Sequence, residues 1–437
     1  MRALLIVSAL AALVAVCTAD QYRGWKLVVA VPQDAAQMDA VRAVGAWREV
    51  DMFNHHLMPG GQVTLMMPPG RLSAAQRVFN DKGIPFQITN HDVQESVDAE
   101  AAAQQRSLLA RARTSLPTYD RYMRYSEIQQ FLNDTAAAYP NLVKLEQAGK
   151  SFEGRDMTAL RISKNGGDSP RAVFVDAGIH AREWIAPPVA IYLIQQLTQQ
   201  AAANDALLDG LDWYILPLVN PDGYEYTHTR TNKKEYSSLI NRFKLQDRFW
   251  RKNRSTKASR WCPGTDVNRN FGFHYKQAGT SDYPCDETYA GPKAFSEPEA
   301  RNLRDYILKS NKRGAVKMYL TLHSYGPMIL YPWGYDFNLP DAPDKDELVS
   351  IANEANEAII KAGSEPFNVM NSAGLYPAAG ASDDWSKGVA GIAKAYTIEL
   401  QGGGSNGFDL PANRILSVVQ QLFEGMKVFA KRAKQLE

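Results

Sequence analysis

The chain has 437 residues, 45% of them hydrophobic and 22% charged, with a formal net charge of +2. That length holds two folding units, and that composition belongs to a soluble globular protein. The near-neutral balance and the lack of a long basic stripe exclude a nucleic-acid binder on electrostatic grounds, and the scattered glycines and prolines exclude collagen and solenoid architectures.

The N-terminus begins with Arg2, an apolar run over 3–16 and the small residues Cys17-Thr18-Ala19. A charged start, a short apolar core and a small-residue cut site describe a secretory leader cleaved after Ala19. A membrane anchor is the rival reading, but the run is too short to span a bilayer comfortably. Secretion is therefore expected. Of three cysteines, Cys17 leaves with the leader. Cys262 and Cys285 remain as an even pair in an oxidising compartment and are expected to form one disulfide, with two free buried thiols as the alternative.

Strands are expected over 26–31, 50–53, 62–67 and 86–89, and helices over 35–46 and 72–81, with turns at Pro59-Gly60-Gly61 and Gly83. The order β-α-β-β-α-β is that of an open-faced α+β sandwich. Residues 93–113 have strong helix propensity and no core-sized apolar face, which predicts an exposed helical connector. It ends in Arg106, Arg111 and Arg113, followed by Thr114. Basic residues at a domain boundary are natural proteolysis points, though an ordinary solvated linker has the same composition. Beyond it, short apolar runs over 172–177, 213–219, 318–322 and 395–400 suit buried strands, and 188–197, 344–362 and 410–428 read as helices. This predicts an α/β domain, a mixed central sheet flanked by helices, with reactive groups where strands end.

His180 and Glu183 stand three apart just past the run 172–177, and His323 ends the run 318–322. Two imidazoles and one carboxylate leave the fourth tetrahedral position for water, the mark of a catalytic rather than a structural zinc site. The pair alone is weak, since such spacings arise by chance. Glu399 lies inside an otherwise apolar run, where a carboxylate is costly unless paired or functional. Arg251 alone reads as part of a solvated basic face, Asn268 and Arg269 as turn residues, and Tyr376 as packing beside Pro377.

Eight ordered segments decide between these readings: Glu153-Gly154-Arg155, His180-Ala181-Arg182-Glu183-Trp184, Asn220-Pro221-Asp222-Gly223-Tyr224, Trp250-Arg251-Lys252, Asp266-x-Asn268-Arg269-Asn270, His323-Ser324-Tyr325, Tyr376-Pro377-Ala378-Ala379-Gly380 and Glu399-Leu400. Through them the chain resembles the digestive zinc metallocarboxypeptidases, the family of pancreatic carboxypeptidases A and B. The resemblance implies one zinc ion on His180, Glu183 and His323, with Asp266 hydrogen-bonded to His180. It implies Glu399 as general base and Arg251 at the scissile carbonyl. It implies Asn268, Arg269 and Tyr376 as the clamp for a peptide's terminal carboxylate, and Ser324 and Tyr325 along the bound peptide. It divides the chain into a leader (1–19), an activation propeptide (20–113) and a catalytic domain (114–437).

In the same resemblance, position 383 sets preference. Apolar residues mark A-type members and aspartate marks B-type members, so Asp383 implies C-terminal Lys or Arg. Ala381 departs from the glycine usual in the B-type pattern, and Asp383 also reads as a cap beside Asp384. The implied partners are peptide C-termini, the chain's own propeptide as inhibitor, and a trypsin-like protease cutting after Arg113, with Arg106 or Arg111 as alternatives. A monomer is expected, without nucleic acid or membrane. A-type preference and a catalytically inactive binding protein on the same scaffold are the rival functions. Asn133-Asp134-Thr135 and Asn253-Arg254-Ser255 are glycosylation sequons.

Overall fold

Short strands and two helices, each with an apolar face, build the first unit. The computed structural model describes residues 21–47, 49–53, 59–109, 117–228, 247–403 and 407–437. The expected leader, Arg111, Arg113 and Thr114 lie outside them. The order is β1 (Lys26–Ala30), α1 (Ala35–Gly45), β2 (Asp51–Met52), β3 (Val63–Met67), α2 (Pro69–Asp81) and β4 (Phe86–Asn90), with sheet order β2-β3-β1-β4. Asp34 caps α1, accepting from the Gln37 N–H at 2.8 Å, and Pro69 opens α2 where a missing N–H costs nothing. One sheet face packs Val28, Ala30, Leu65 and Met67 on Met38, Val41 and Phe79 of the helices.

The opposite face is not open. Leu27, Phe53 and Met66 pack on Phe249 and Phe408 of the second unit. Because strand side chains alternate, this second cover is why all five residues of β3 are buried. Helix α3 (Val93–Leu109) follows. It corrects the expected exposed connector in its first half, where Val93 and Val97 join the same cluster and Gln94 is buried, accepting from the Tyr22 N–H. Only two apolar positions four apart are needed to dock a helix edge. Arg106, further along, is exposed.

The second unit contains α4 (Tyr125–Ala138), β5 (Val143–Lys150), β6 (Asp156–Ile162), β7 (Ala172–Ala177), α5 (Ala186–Thr198), α6 (Asp205–Leu208), β8 (Asp212–Leu216), α7 (Pro221–His228), α8 (Pro298–Ser310), β9 (Val316–Ser324), β10 (Met328–Tyr331), α9 (Lys345–Lys361), β11 (Asn368–Asn371), α10 (Ser372–Leu375), α11 (Ser382–Gly388), β12 (Lys394–Leu400) and α12 (Ile415–Ala433). The sheet order is β11-β10-β12-β9-β7-β8-β6-β5. Its centre, β12-β9-β7-β8, is parallel, and antiparallel pairs flank it. Val173, Val175, Leu320, Leu322 and Ile398 face α5, α9 and α12, while Phe174, Tyr319 and Ala395 face α8 and α11. The mixed sheet covered on both faces is the expected architecture.

Prolines account for the shifted boundaries. The strand expected over 213–219 ends at Leu216 because Pro217 has no N–H for the ladder. The last helix begins at Ile415 rather than 410, after Pro411 and a 3₁₀ turn over Ala412–Arg414. Pro187 and Pro188 are accepted in the first turn of α5.

Cys262 and Cys285 form the expected disulfide, with Cα atoms 4.8 Å apart and a separation of 23 residues. Closing a loop of that size removes unfolded-state entropy, so the double Ser variant is expected to lose about 3 kcal/mol of stability. A urea midpoint unchanged from the parent would contradict this. Of the two sequons, Asn133 is exposed. Asn253 is fully buried and its Nδ2 donates to Glu297 and Glu299, so a glycan there is incompatible with the fold.

Candidate active site

Strands β7, β9 and β12 are parallel neighbours, so their C-terminal ends reach one edge of the sheet together. In open α/β sheets that edge is where ligands bind. β7 leaves the sheet through Gly178, with φ +66°, where a Cβ would come within 2.7 Å of Leu218. Glycine adopts this bend without strain, and the next turns carry His180 and Glu183. His323 is next to last in β9, directly opposite Glu399 of β12. Tyr319 and Ala395 face α8 and α11, so the two-residue period puts His323, Thr397 and Glu399 on that face as well.

The three metal-ligand candidates converge. His180 Nδ1 lies 2.8 Å from Glu183 Oε1, His323 Nδ1 lies 3.0 Å from Glu183 Oε2, and the two Nδ1 atoms are 3.1 Å apart. All three side chains are buried. Tetrahedral ligands at zinc–nitrogen and zinc–oxygen bond lengths stand about 3.3 Å from one another, close to these separations. Two imidazole lone pairs and a carboxylate turned to one point repel each other unless a cation lies between them. The donor set therefore fits zinc. It is the only such cluster of histidine, cysteine and acidic groups among the described residues.

The surrounding groups are fixed in turn. His180 Nε2 pairs with Asp266 Oδ1 at 3.1 Å, which leaves Nδ1 for the metal. Asp266 Oδ2 accepts from Arg251 Nε at 3.0 Å and Nη2 at 2.9 Å. Burial alone would raise the Asp266 carboxyl, but Arg251, His180 and Arg269 hold it well below the usual range. With two nitrogens bound to Asp266, Arg251 keeps Nη1 toward the site, 3.9 Å from Glu183. Desolvation, followed by the charge of Glu183, pushes the Glu399 carboxyl up to about 7, against His323, Arg251 and Arg269. A cavity of 390 Å³ opens onto His180, Glu183, Arg251, Ser324, Tyr376 and Glu399.

Asn268 and Arg269 follow Asp266 in a 3₁₀ turn (Val267–Arg269). Asn268 Oδ1 accepts from the Ser382 N–H at 2.9 Å, so its amide nitrogen remains a donor. Arg269 donates through Nε to Gly279 O and through Nη1 to Asn268 O. Its Cζ lies 5.6 Å from the Tyr376 ring centre. Asn268, Arg269 and Asp383 do not line the cavity; Tyr376 stands over the arginine. Asp383, second in α11, is buried, and its Oδ2 accepts from Ser372 and Thr397. Ser324 N donates to Glu183 Oε2 at 3.2 Å, and Tyr325 packs edge-on against Phe408.

Sequence reading missed the residues that cover this site. Phe53 of the first unit lines the cavity and packs tilted against Phe249 and edge-on against Phe408. Arg182 Nη1 bonds Asp51 Oδ2 at 2.9 Å, and Arg248 Nη2 bonds Glu100 Oε1 at 3.1 Å. Arg182 falls within one of the family-like segments and Arg248 opens a basic run, but nothing in the sequence pairs either with an acid of the first unit.

Comparison with known proteins agrees with this geometry. The zinc carboxypeptidase family profile matches residues 128–425, and the carboxypeptidase activation peptide profile matches 29–100. The chain is 42% identical over 315 residues to carboxypeptidase B of Astacus astacus, covering 72% of this chain and 97% of that one. It is 36% identical to carboxypeptidase B of Helicoverpa zea, covering 95% of each, and 32% identical to carboxypeptidase A1 of Bos taurus, covering 98% and 97%. Among solved structures, carboxypeptidase A of Helicoverpa armigera superposes with a TM-score of 0.83 at 28% identity, covering 94% of this chain and 98% of that one. With the fold, the donor set and both profiles in agreement, the chain belongs to the zinc carboxypeptidase family, as a metallopeptidase that carries its activation peptide ahead of the enzyme domain.

Proposed function

We propose that the chain is a secreted zymogen whose enzyme domain, about 114–437, removes single Lys or Arg residues from peptide C-termini. Asp383 carries the specificity reading. It is a buried carboxylate that pairs with no Lys or Arg among the described residues, so a cationic side chain compensates its charge.

In this reading His180, Glu183 and His323 hold zinc, which supplies Lewis acidity and brings a water's pKa from about 15.7 toward about 7. Glu399 accepts the attacking water's proton and returns it to the leaving amine. Arg251 Nη1 donates to the oxygen that becomes negative in the tetrahedral species. Asn268, Arg269 and Tyr376 hold the terminal carboxylate, and Ser324 and Tyr325 border the peptide. After trypsin treatment, hippuryl-arginine should exceed hippuryl-phenylalanine in kcat/KM by at least about tenfold, the cost of one mispaired polar contact. A faster phenylalanine substrate would overturn the basic preference and favour the A-type reading. A zinc chelator should abolish turnover of both substrates, and added zinc should restore it.

The same reading makes residues 20–113 the inhibitor, released by a trypsin-like cut near Arg113. Asp51 and Glu100 then act as latches on Arg182 and Arg248. Removing one partner of a buried ion pair costs about 3–5 kcal/mol. An Asp51→Ala/Glu100→Ala precursor should therefore show at least tenfold more activity before cleavage than its parent. Equal latency in the two precursors would rule the latches out.

A further inference from the structure

We infer that Thr397 and Ser372 are specificity-positioning residues that aim the Asp383 carboxylate at the substrate's cation. The inference rests on the Lys/Arg reading above. Asp383 is 3% exposed and lies among other buried carboxyl groups. Asp384, next in the chain, is fully buried and takes the Gly334 N–H on both oxygens, at 2.9 and 3.1 Å. Asp176, on β7, adds a third buried carboxyl group, electrostatically coupled to Asp383. No Lys or Arg bridges any of the three among the described residues. An uncompensated buried carboxylate swings or takes up a proton unless donors fix it.

Two hydroxyls do so, from different elements. Thr397 Oγ1 of β12 donates to Asp383 Oδ2 at 3.0 Å, and Ser372 Oγ of α10 lies 3.2 Å from the same oxygen. Ser372 shares its single proton with Tyr331 O, also at 3.2 Å, so Thr397 is the stronger tether. Both tethers hold Oδ2, which leaves Oδ1 to meet a guanidinium or ammonium. Thr397 is two residues before Glu399 on the same strand face. At about 3.3 Å per residue, the tether sits roughly 7 Å from the proton-transferring carboxylate. That is the span of a lysine or arginine side chain lying along the strand. One strand thereby sets both the reacting group and the distance at which the charge is read.

The test uses trypsin-activated full-length protein and the hippuryl-arginine to hippuryl-phenylalanine ratio of kcat/KM. Thr397→Val should lower this ratio at least tenfold, with the loss in KM for the arginine substrate rather than in kcat. Ser372→Ala should lower it less. Thr397→Ser keeps the hydroxyl and should stay within threefold of the parent ratio. An unchanged ratio in both Thr397→Val and Ser372→Ala overturns the inference, as does a loss in Thr397→Ser equal to that in Thr397→Val. Asp383→Asn is measured alongside. A ratio it leaves intact removes the Lys/Arg reading itself, and the inference with it. A collapse in Asp383→Asn without one in the hydroxyl variants removes the inference alone.

Discussion

Glu399→Gln is expected to lower kcat/KM on hippuryl-arginine by roughly 10²–10⁴, the usual worth of a positioned acid–base group. Zinc content should stay at one ion per chain. The two expectations follow from where the residue sits. Glu399 is on β12 opposite His323 but is not one of the three converging ligands. Glutamine keeps the shape and a carbonyl acceptor, so the cavity survives. What it cannot do is take a proton from water and hand it to the departing amine. A variant within tenfold of the parent would remove Glu399 as the base. A protein that used this scaffold only for binding would be indifferent to the change, so one substitution separates enzyme from inactive scaffold. Measuring bound zinc in the same sample excludes the trivial route to inactivity, loss of the metal.

How much of this was legible in the sequence depends on how local each feature is. His180 and Glu183 are close in the chain and follow a fully apolar strand, so their convergence needs only the turn after β7. Glu399 announced itself as a charge inside an apolar run. His323 is different. Its place beside His180 depends on β9 lying next to β7, a pairing across 143 positions that spacing cannot supply and that family resemblance did. Asp266 and Arg251 likewise meet only because two loops fold over the same strand ends. The propeptide interface was not legible at all. Asp51 and Glu100 look like ordinary solvated acids, and Val93 and Val97 give α3 too narrow an apolar stripe to predict docking. Interfaces of this kind combine a few apolar anchors with charge pairs from distant segments. No periodicity marks them.

The proposed carboxylate clamp supplies the other large expected effect. Arg269→Ala is expected to reduce kcat/KM by about 2–5 kcal/mol, roughly 30-fold to several thousandfold, chiefly through KM. Arg269 is buried, and its Nε and Nη1 are already bound to main-chain carbonyls. Only Nη2 and one direction of Nη1 are left for a ligand, and the Tyr376 ring closes over them. A guanidinium held this way cannot turn aside when a substrate lacks a free carboxylate, and its remaining N–H donors are then left without an acceptor. In the proposed reading that penalty confines cleavage to the chain end. The decisive measurement is the rate on a C-terminal acid relative to its amide. The parent should prefer the acid by the full factor, and Arg269→Ala should lose most of that preference by slowing the acid, with the amide little changed. Arg269→Lys keeps the charge without the two-pronged geometry and should fall between them. An acid-to-amide ratio equal to the parent's in Arg269→Ala would mean that the free end is recognised elsewhere. The exopeptidase character would then have to come from another part of the site, not from charge pairing at Arg269.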